Sequence, residues 1–272
     1  MTKTRVRILR IFTLLLFSYF FGAAMHVGAQ EPAEEPTPEP TPGIHVEDDP
    51  TKPIFFSIRN EYRNLRNGAW ANTVLFRFDK LTLRNLKTRG GANGLIFRFD
   101  IPFNIVNNGS DTKSGLGDLY AQVLYIPHVR PSFSLALGSG VSLPTATNDQ
   151  LGQGKLILSP AIVPVWRVGK KRRLFLIRFQ NYFSVAGKRS RPDVNYLVVD
   201  PKLIRRLSRK WWILADTEFK WDWKSRRGSG ISGVQFGRML KKRIGVWIEP
   251  EVPWGPGRLG DFTLKLTFFR IR

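Results

Sequence analysis

The chain has 272 residues, a formal net charge of +22 and no cysteine. The lack of cysteine excludes a disulfide framework, thiolate catalysis and a lipid-bearing cysteine. So large a positive charge is by itself typical of nucleic-acid binding. The amino-terminal sequence indicates export instead, and we therefore predict no nucleic-acid partner.

The first 29 residues have the three parts of a secretory signal peptide. Four basic residues lie between Lys3 and Arg10, an apolar run extends from Ile11 to about Ala24, and Val27–Ala29 is a small-residue cleavage site. The apolar run is shorter than the about 20 residues that cross a bilayer as a helix. We predict a cleaved signal peptide over residues 1–29, with an uncleaved anchor helix as the alternative.

Residues 30–53 alternate proline with glutamate and threonine, and they contain seven acidic residues but only one basic residue, Lys52. Proline-rich segments of this kind favour an extended, solvated conformation. We predict an acidic periplasmic tether here; the alternative is that the tether docks on the basic remainder of the chain or enters its lumen. The predicted folded domain is residues 54–272.

Residues 210–223 have the clearest periodicity of this domain. Their odd positions are mostly apolar or aromatic, whereas their even positions include Asp216, Glu218, Lys220 and Asp222. A period of two is that of a β-strand. Because charged side chains in a dry core cost several kcal/mol each, we predict that the even face lines a water-filled lumen.

The odd face of the same segment carries Trp211, Trp221 and Trp223. Trp211 and Trp221 are about 33 Å apart along an extended strand, which is roughly 25 Å of height in a tilted strand. That height is typical of the lipid-facing band of a membrane barrel. We predict that these three tryptophans lie at the membrane interfaces.

Alternation of this kind recurs along the domain, and the intervening segments are rich in glycine, proline, asparagine and basic residues. We predict an all-β fold: a transmembrane antiparallel β-barrel of about twelve strands in the outer membrane of a Gram-negative envelope. The segments 107–117, 144–154 and 187–193 are predicted outer loops. Prolines at 160, 164, 250 and 253 predict bulges or shortened strands. The predicted strands are 54–65, 72–83, 94–106, 116–127, 131–143, 155–167, 172–186, 194–206, 210–223, 229–240, 243–253 and 260–271.

Polar side chains on the inward positions give the predicted lumen lining. Glu249 and Glu251 share a face, which also fits acid–base chemistry or cation binding, but lumen charge is the favoured interpretation. The spacing of ligand-type residues predicts no metal site and no cofactor. The ten residues predicted to line the solute path are Arg98, Asp100, Asp118, Arg178, Gln180, Asp216, Glu218, Lys220, Glu249 and Glu251.

Four short motifs connect the chain to a known family. They are Gly115–Leu119, Gly138–Gly140, Leu143–Thr145 and Leu151–Lys155. In these motifs the chain resembles outer-membrane proteins named after a MetA pathway of phenol degradation. The resemblance implies a transporter-like barrel over about residues 54–272. It implies no particular solute.

These patterns predict a porin-like channel or transporter for small solutes, hydrophobic solutes included. We expect outer-membrane lipid, lipopolysaccharide and the barrel-assembly machinery as partners. The alternative is a non-transporting barrel, or a periplasmic β-protein, that binds lipid or a partner protein through its basic rim. We predict no catalytic residues, because the mature chain has only His45 and His128 as candidate bases.

Overall fold

A computed structural model describes residues 54–84, 92–130, 132–168 and 173–271. The predicted signal peptide and tether lie outside the described residues. No helix in the described part of the chain is long and apolar enough to cross a membrane.

The described residues form one antiparallel sheet. Its strands are β1 (Phe56–Leu65), β2 (Trp70–Arg84), β3 (Ala92–Asn107), β4 (Thr112–Leu116), β5 (Leu119–Val129), β6 (Phe133–Leu143), β7 (Lys155–Val168), β8 (Arg173–Gly187), β9 (Asn195–Arg206), β10 (Trp211–Asp222), β11 (Arg227–Met239), β12 (Ile244–Trp254) and β13 (Gly260–Arg270).

The sheet closes on itself because β1 pairs with both β2 and β13. Strands β4 and β5 both pair with β3, β4 along Phe103–Asn107 and β5 along Ala92–Asp100. These two strands therefore share one position in the barrel. The prediction of a closed antiparallel barrel of twelve strands is confirmed.

The barrel has two unlike ends. The terminal end carries Ile54, Ile271 and the short turns at 207–210 and 240–243. The loop end carries the turns at 66–69 and 108–111 and the connections 144–154, 188–194, 223–226 and 255–259.

Two local predictions were wrong. The predicted loop 107–117 contains β4, which folds back on β3 through a turn in which Asn108 Oδ1 accepts backbone hydrogen bonds from Ser110 and Asp111. The prolines of β7 do not shorten it or cause a bulge beside them. The β7–β8 ladder has gaps at 159–160 and 163–164, because a proline has no N–H to donate, but the register is the same on both sides of each gap.

Side chains alternate across the barrel wall. Phe97 and Phe99 are exposed on the outside, whereas Ile96 and Asp100 are buried inside. An exterior of this kind, covered with aromatic and aliphatic side chains, is that of a wall built to contact lipid. The predicted alternation of the strands is confirmed here.

The interior has two layers. In the half nearest the terminal end, the inward side chains form a packed cluster, here called the apolar layer. The prediction that the inward face is wet throughout was wrong at this end, since Trp212 and Leu214 share the inward face of β10 with Asp216. The apolar layer consists of Ile54, Leu81, Ile96, Leu124, Ile126, Ala136, Ala161, Val163, Val165, Leu174, Leu176, Ile204, Trp212, Leu214, Met239, Trp247, Phe269 and Ile271.

Candidate functional site

The candidate site is the polar part of the lumen, between the apolar layer and the loop end. Its first group of charges joins β2 to β3, where Arg77 faces Asp100 and Asp79 faces Arg98 in the strand register. Each arginine makes a bidentate pair: Arg77 contacts the Asp100 carboxylate at 2.7 and 2.6 Å, and Arg98 contacts that of Asp79 at 2.9 and 2.8 Å. All four charges are neutralised locally, which stabilises them inside the wall.

A second group of charges spans β8, β9 and β10. Arg178 Nη2 donates to Asp200 at 2.9 Å and to Glu218 at 3.1 Å. Lys202 Nζ lies 3.3 Å from Asp200 and 3.2 Å from Asp216. Because each cation bridges two strands or more, this group links β8, β9 and β10 through their side chains.

A third group lies on β12 and β13. Lys265 Nζ donates to Glu251, and Glu249 is the next inward residue of β12. Both glutamates are buried, with 4% and 2% of their surface exposed for Glu249 and Glu251 respectively. One oxygen of each, Glu249 Oε1 and Glu251 Oε2, is buried without a hydrogen-bond partner.

Gln180 and Lys220 complete the polar lining near the loop end. Gln180 Nε2 donates to the hydroxyl of Tyr120 at 2.9 Å, and Lys220 Nζ lies 3.9 Å from the ring centroid of Tyr196. Nine of the ten predicted residues thus share the inward parity of their strands. Whether a solute passes them stays a prediction.

Asp118, the tenth predicted residue, lies between β4 and β5 and contacts an outer loop. Its carboxylate accepts hydrogen bonds from the backbone N–H groups of Ala146 (3.1 Å) and Gln153 (2.6 Å). Close to this contact, a Cβ at Gly152 would collide with Ala146 and Asp118. The observed role of Asp118 is to anchor the loop 144–154, and its place in a solute path stays a prediction.

The same loop is held at further points. Asn104 Nδ2 donates to the carbonyl of Leu151 at 2.8 Å, and Thr145 Oγ1 accepts from the Leu119 backbone at 2.9 Å. Leu151 itself is buried. Three of the four motifs that carry the family resemblance therefore meet in one place, where they fix the loop 144–154 against β3, β4 and β5.

A cavity of about 230 Å³ lies inside the barrel. Ile96, Leu124 and Val163 of the apolar layer line part of it, and Gln153 of the anchored loop also contributes. Sequence reasoning missed its tyrosines, although each has the inward parity of its strand. The polar lining consists of Arg77, Arg98, Asp100, Tyr120, Gln122, Ser142, Gln153, Arg178, Gln180, Tyr182 and Tyr196.

The three predicted interface tryptophans are on the outer face and roughly half exposed. Trp211 lies at the terminal end, where the guanidinium of Arg238 is 4.9 Å from its ring centroid. Trp221 and Trp223 lie at the loop end with their ring centroids 6.5 Å apart. Their contact with lipid headgroups stays a prediction.

No protein-family model matches the sequence, and no curated protein matches it. In structure the chain is similar to the COG4313 outer membrane channel from Pseudomonas putida F1, with a TM-score of 0.65 and 12% identity over 88% of this chain and 100% of that chain. The fold is that of an outer-membrane barrel. The chain is also similar to KdgM porin, with a TM-score of 0.52 and 10% identity over 80% of this chain and 98% of that chain.

These likenesses and the apolar exterior confirm the predicted outer-membrane barrel. They also agree with the kind of protein that the motif resemblance implies. Membership of the family named after phenol degradation stays a prediction, because identities this low establish the fold alone.

Proposed function

We propose that the protein is an outer-membrane channel for small, uncharged solutes with an apolar part. The observation that carries this proposal is the two-layered interior, in which a polar cavity opens onto Ile96, Leu124 and Val163 of the apolar layer. A solute that enters from the loop end meets hydrogen-bonding groups first and an apolar barrier second.

The cavity limits the size of the solute. Its volume is about 230 Å³, and a cavity of about 150 Å³ is large enough to bind benzene. The anchored loop 144–154 contributes Gln153 to the lining and so narrows the path from the loop end. The proposal therefore concerns solutes of about one aromatic ring.

The charges of the lumen favour uncharged solutes. Arg77, Arg98 and Arg178 of the cavity wall are each paired with carboxylates at hydrogen-bond distance. An ion that passed through would also have to give up its hydration in the apolar layer, which works as a hydrophobic constriction. A solute with hydroxyl groups and an apolar part fits both layers.

Filling the cavity tests the proposal. Ser142 lines the cavity from β6, whereas Val141 has the opposite parity on the same strand. We expect that Ser142→Trp reduces the permeation of benzyl alcohol across bilayers whose outer leaflet contains lipopolysaccharide. Val141→Trp is the matched control, and it is expected to leave permeation at the wild-type level. The proposal would be contradicted if benzyl alcohol crossed bilayers with Ser142→Trp, bilayers with Val141→Trp and bilayers without protein at the same rate.

A second candidate is a barrel that transports nothing. The observation in its favour is the dense packing of the apolar layer, in which Ile126, Ala136, Val165, Leu176 and Ile204 are fully buried. Such a barrel would act through its rim, where cations such as Arg238 lie beside an interface tryptophan. Absence of permeation by inserted, heat-modifiable protein would favour this candidate.

A further inference from the structure

Three carboxylates converge on the inner wall where the polar part of the lumen meets the apolar layer. Asp216, Glu249 and Glu251 each place a carboxylate oxygen within 4.8 Å of the oxygens of the other two. Leu214 and Trp247, the inward residues that precede Asp216 and Glu249 on their strands, belong to the apolar layer. Apolar side chains therefore lie beside the cluster on the side that faces the terminal end of the barrel. In this part of β10 and β12 the tryptophan indole nitrogens are the side-chain hydrogen-bond donors.

The strand register brings these groups together. Asp216 of β10 lies opposite Gly233 of β11, and Gly233 lies opposite Glu251 of β12. A Cβ at Gly233 would come within 3.0 Å of Asp216 Oδ1 and 3.3 Å of Glu249 Oε1. The glycine thus leaves open the space that the two oxygens border.

One oxygen of each carboxylate in the cluster lacks a hydrogen bond. Lys202 contacts Asp216 Oδ2 at 3.2 Å, and Lys265 contacts Glu251 Oε1. The other oxygens, Asp216 Oδ1 and Glu251 Oε2, are buried without a hydrogen-bond partner, and so is Oε1 of Glu249. An ionised carboxylate in such a place costs several kcal/mol, and two of the three unpaired oxygens, Asp216 Oδ1 and Glu249 Oε1, border the same space at Gly233, which indicates a missing cation.

The local charges agree with this inference. Arg178 also contacts Asp200 and has Glu218 as its second partner. The connected group therefore has five carboxylates and three cations, and these are Asp200, Asp216, Glu218, Glu249 and Glu251 with Arg178, Lys202 and Lys265. The neighbouring Glu61 of β1 has its own partners, Arg59 at 3.8 Å and Arg63 at 3.1 Å. A dication would balance the surplus of two negative charges.

We propose that Asp216, Glu249 and Glu251 form a binding site for one divalent cation, Ca²⁺ in particular, inside the barrel. Carboxylate oxygens are the ligands that Ca²⁺ prefers, and at 2.3–2.6 Å per bond its opposite ligands are up to about 5 Å apart. Mg²⁺ requires a tighter octahedron, in which opposite ligands are about 4.1 Å apart. Ligand spacing in the sequence did not predict this site, because the three residues come from two strands separated by β11.

The experiment measures Ca²⁺ binding to the refolded mature protein by calorimetry, with Tb³⁺ luminescence excited through tryptophan as a second probe. We expect one Ca²⁺ per chain, and a loss of affinity of about tenfold or more in Glu249→Gln and in Asp216→Asn. Asp261→Asn is the matched control: Asp261 is an exposed carboxylate of β13 that pairs with Arg258, and its substitution is expected to leave binding unchanged.

A measurement of thermal stability tests the proposal without relying on the binding affinity. Removal of Ca²⁺ with a chelator should lower the unfolding temperature of the wild type, whereas Glu249→Gln should be insensitive to the chelator. Absence of binding by the wild type, or equal binding by Glu249→Gln, would overturn the proposal. The proposal would also be overturned if the chelator left the unfolding temperature of the wild type unchanged and Glu249→Gln raised that temperature. In that case a proton, and not a metal ion, would neutralise Glu249.

Discussion

Asp118 accepts a hydrogen bond of 2.6 Å from the backbone N–H of Gln153, 35 residues further along the chain. This contact joins the motif Gly115–Leu119 to the motif Leu151–Lys155. Both motifs are short and glycine-rich, and in the folded barrel they make one structure that fixes the loop 144–154. The loop in turn contributes Gln153 to the lining of the cavity, so this contact fixes the position of a residue that lines the cavity.

Removal of this carboxylate should release the loop. In Asp118→Ala two backbone donors lose their charged acceptor, and we expect a loss of about 1–3 kcal/mol in the free energy that holds the loop in place. Limited proteolysis within residues 146–150 measures the effect. Asp111→Ala is the control, because Asp111 is an exposed residue at the same end whose carboxylate pairs with Lys113 and does not contact the loop 144–154. Equal cleavage rates in the two variants would rule out the anchoring role.

Arg98 of β3 and Asp79 of β2 form an ion pair, and the effects of their substitutions on stability should be strongly coupled. Arg98→Gln leaves Asp79, which is 2% exposed, as a buried charge without its bidentate partner. We expect this variant to lose about 3–5 kcal/mol of stability. Adding Asp79→Asn should recover most of that loss, because the buried charge is then gone. A double-mutant cycle by urea unfolding in detergent measures the coupling, and additive effects of the two substitutions would contradict the pairing.

The facing of β3 has a direct test at the neighbouring position. Phe97 is exposed on the outer wall, and an arginine near the bilayer midplane costs about 2–4 kcal/mol. We expect Phe97→Arg to reduce the fraction of protein that inserts and becomes heat-modifiable, whereas Phe97→Leu should insert like the wild type. If Phe97→Arg inserts normally, this residue does not face lipid.

The loop 188–194 should be sensitive to acid. Hydrogen bonds from Lys155 and then Lys224 lower the pKa of Asp193 below its usual 3.8. A carboxyl group whose pKa is lowered by folding stabilises the fold above its unfolded value, and this contribution is lost as the pH falls through the lower folded value. We expect hydrogen exchange of this loop, corrected for intrinsic rates, to be constant above about pH 5 and to accelerate below pH 3.8. In Asp193→Asn the acceleration below pH 3.8 should be smaller, and in the double variant with Asp149→Asn, which also removes the partner of Lys188 and its lowered pKa, the corrected rates should be constant.

Alternation in the sequence was enough to predict which face of each strand points inward, and residues such as Arg98 and Asp216 were found in this way. Parity does not report depth along the barrel axis. Trp212 and Asp216 have the same parity, yet one belongs to the apolar layer and the other to the polar wall. The apolar layer therefore went unpredicted.

Contacts that depend on loops and register were also beyond the sequence. In the sequence Asp118 lies within a predicted strand. Its contacts with the loop 144–154 are evident only from the fold of that loop. Likewise, Asp216 and Glu251 come together because β11 places Gly233 between them. That register is set by two turns whose lengths no residue pattern fixed.

The most direct test of the two-layered channel is single-channel conductance of the mature protein and of Trp212→Ala in a planar bilayer. Trp212 is a large side chain of the apolar layer, and its ring centroid lies 5.9 Å from that of Phe269. We predict rare or very small steps for the wild type and larger, sustained steps for Trp212→Ala, because the variant removes part of the hydrophobic barrier. Large steps of equal size in both proteins would contradict the account, since the apolar layer would then not be the barrier to ions.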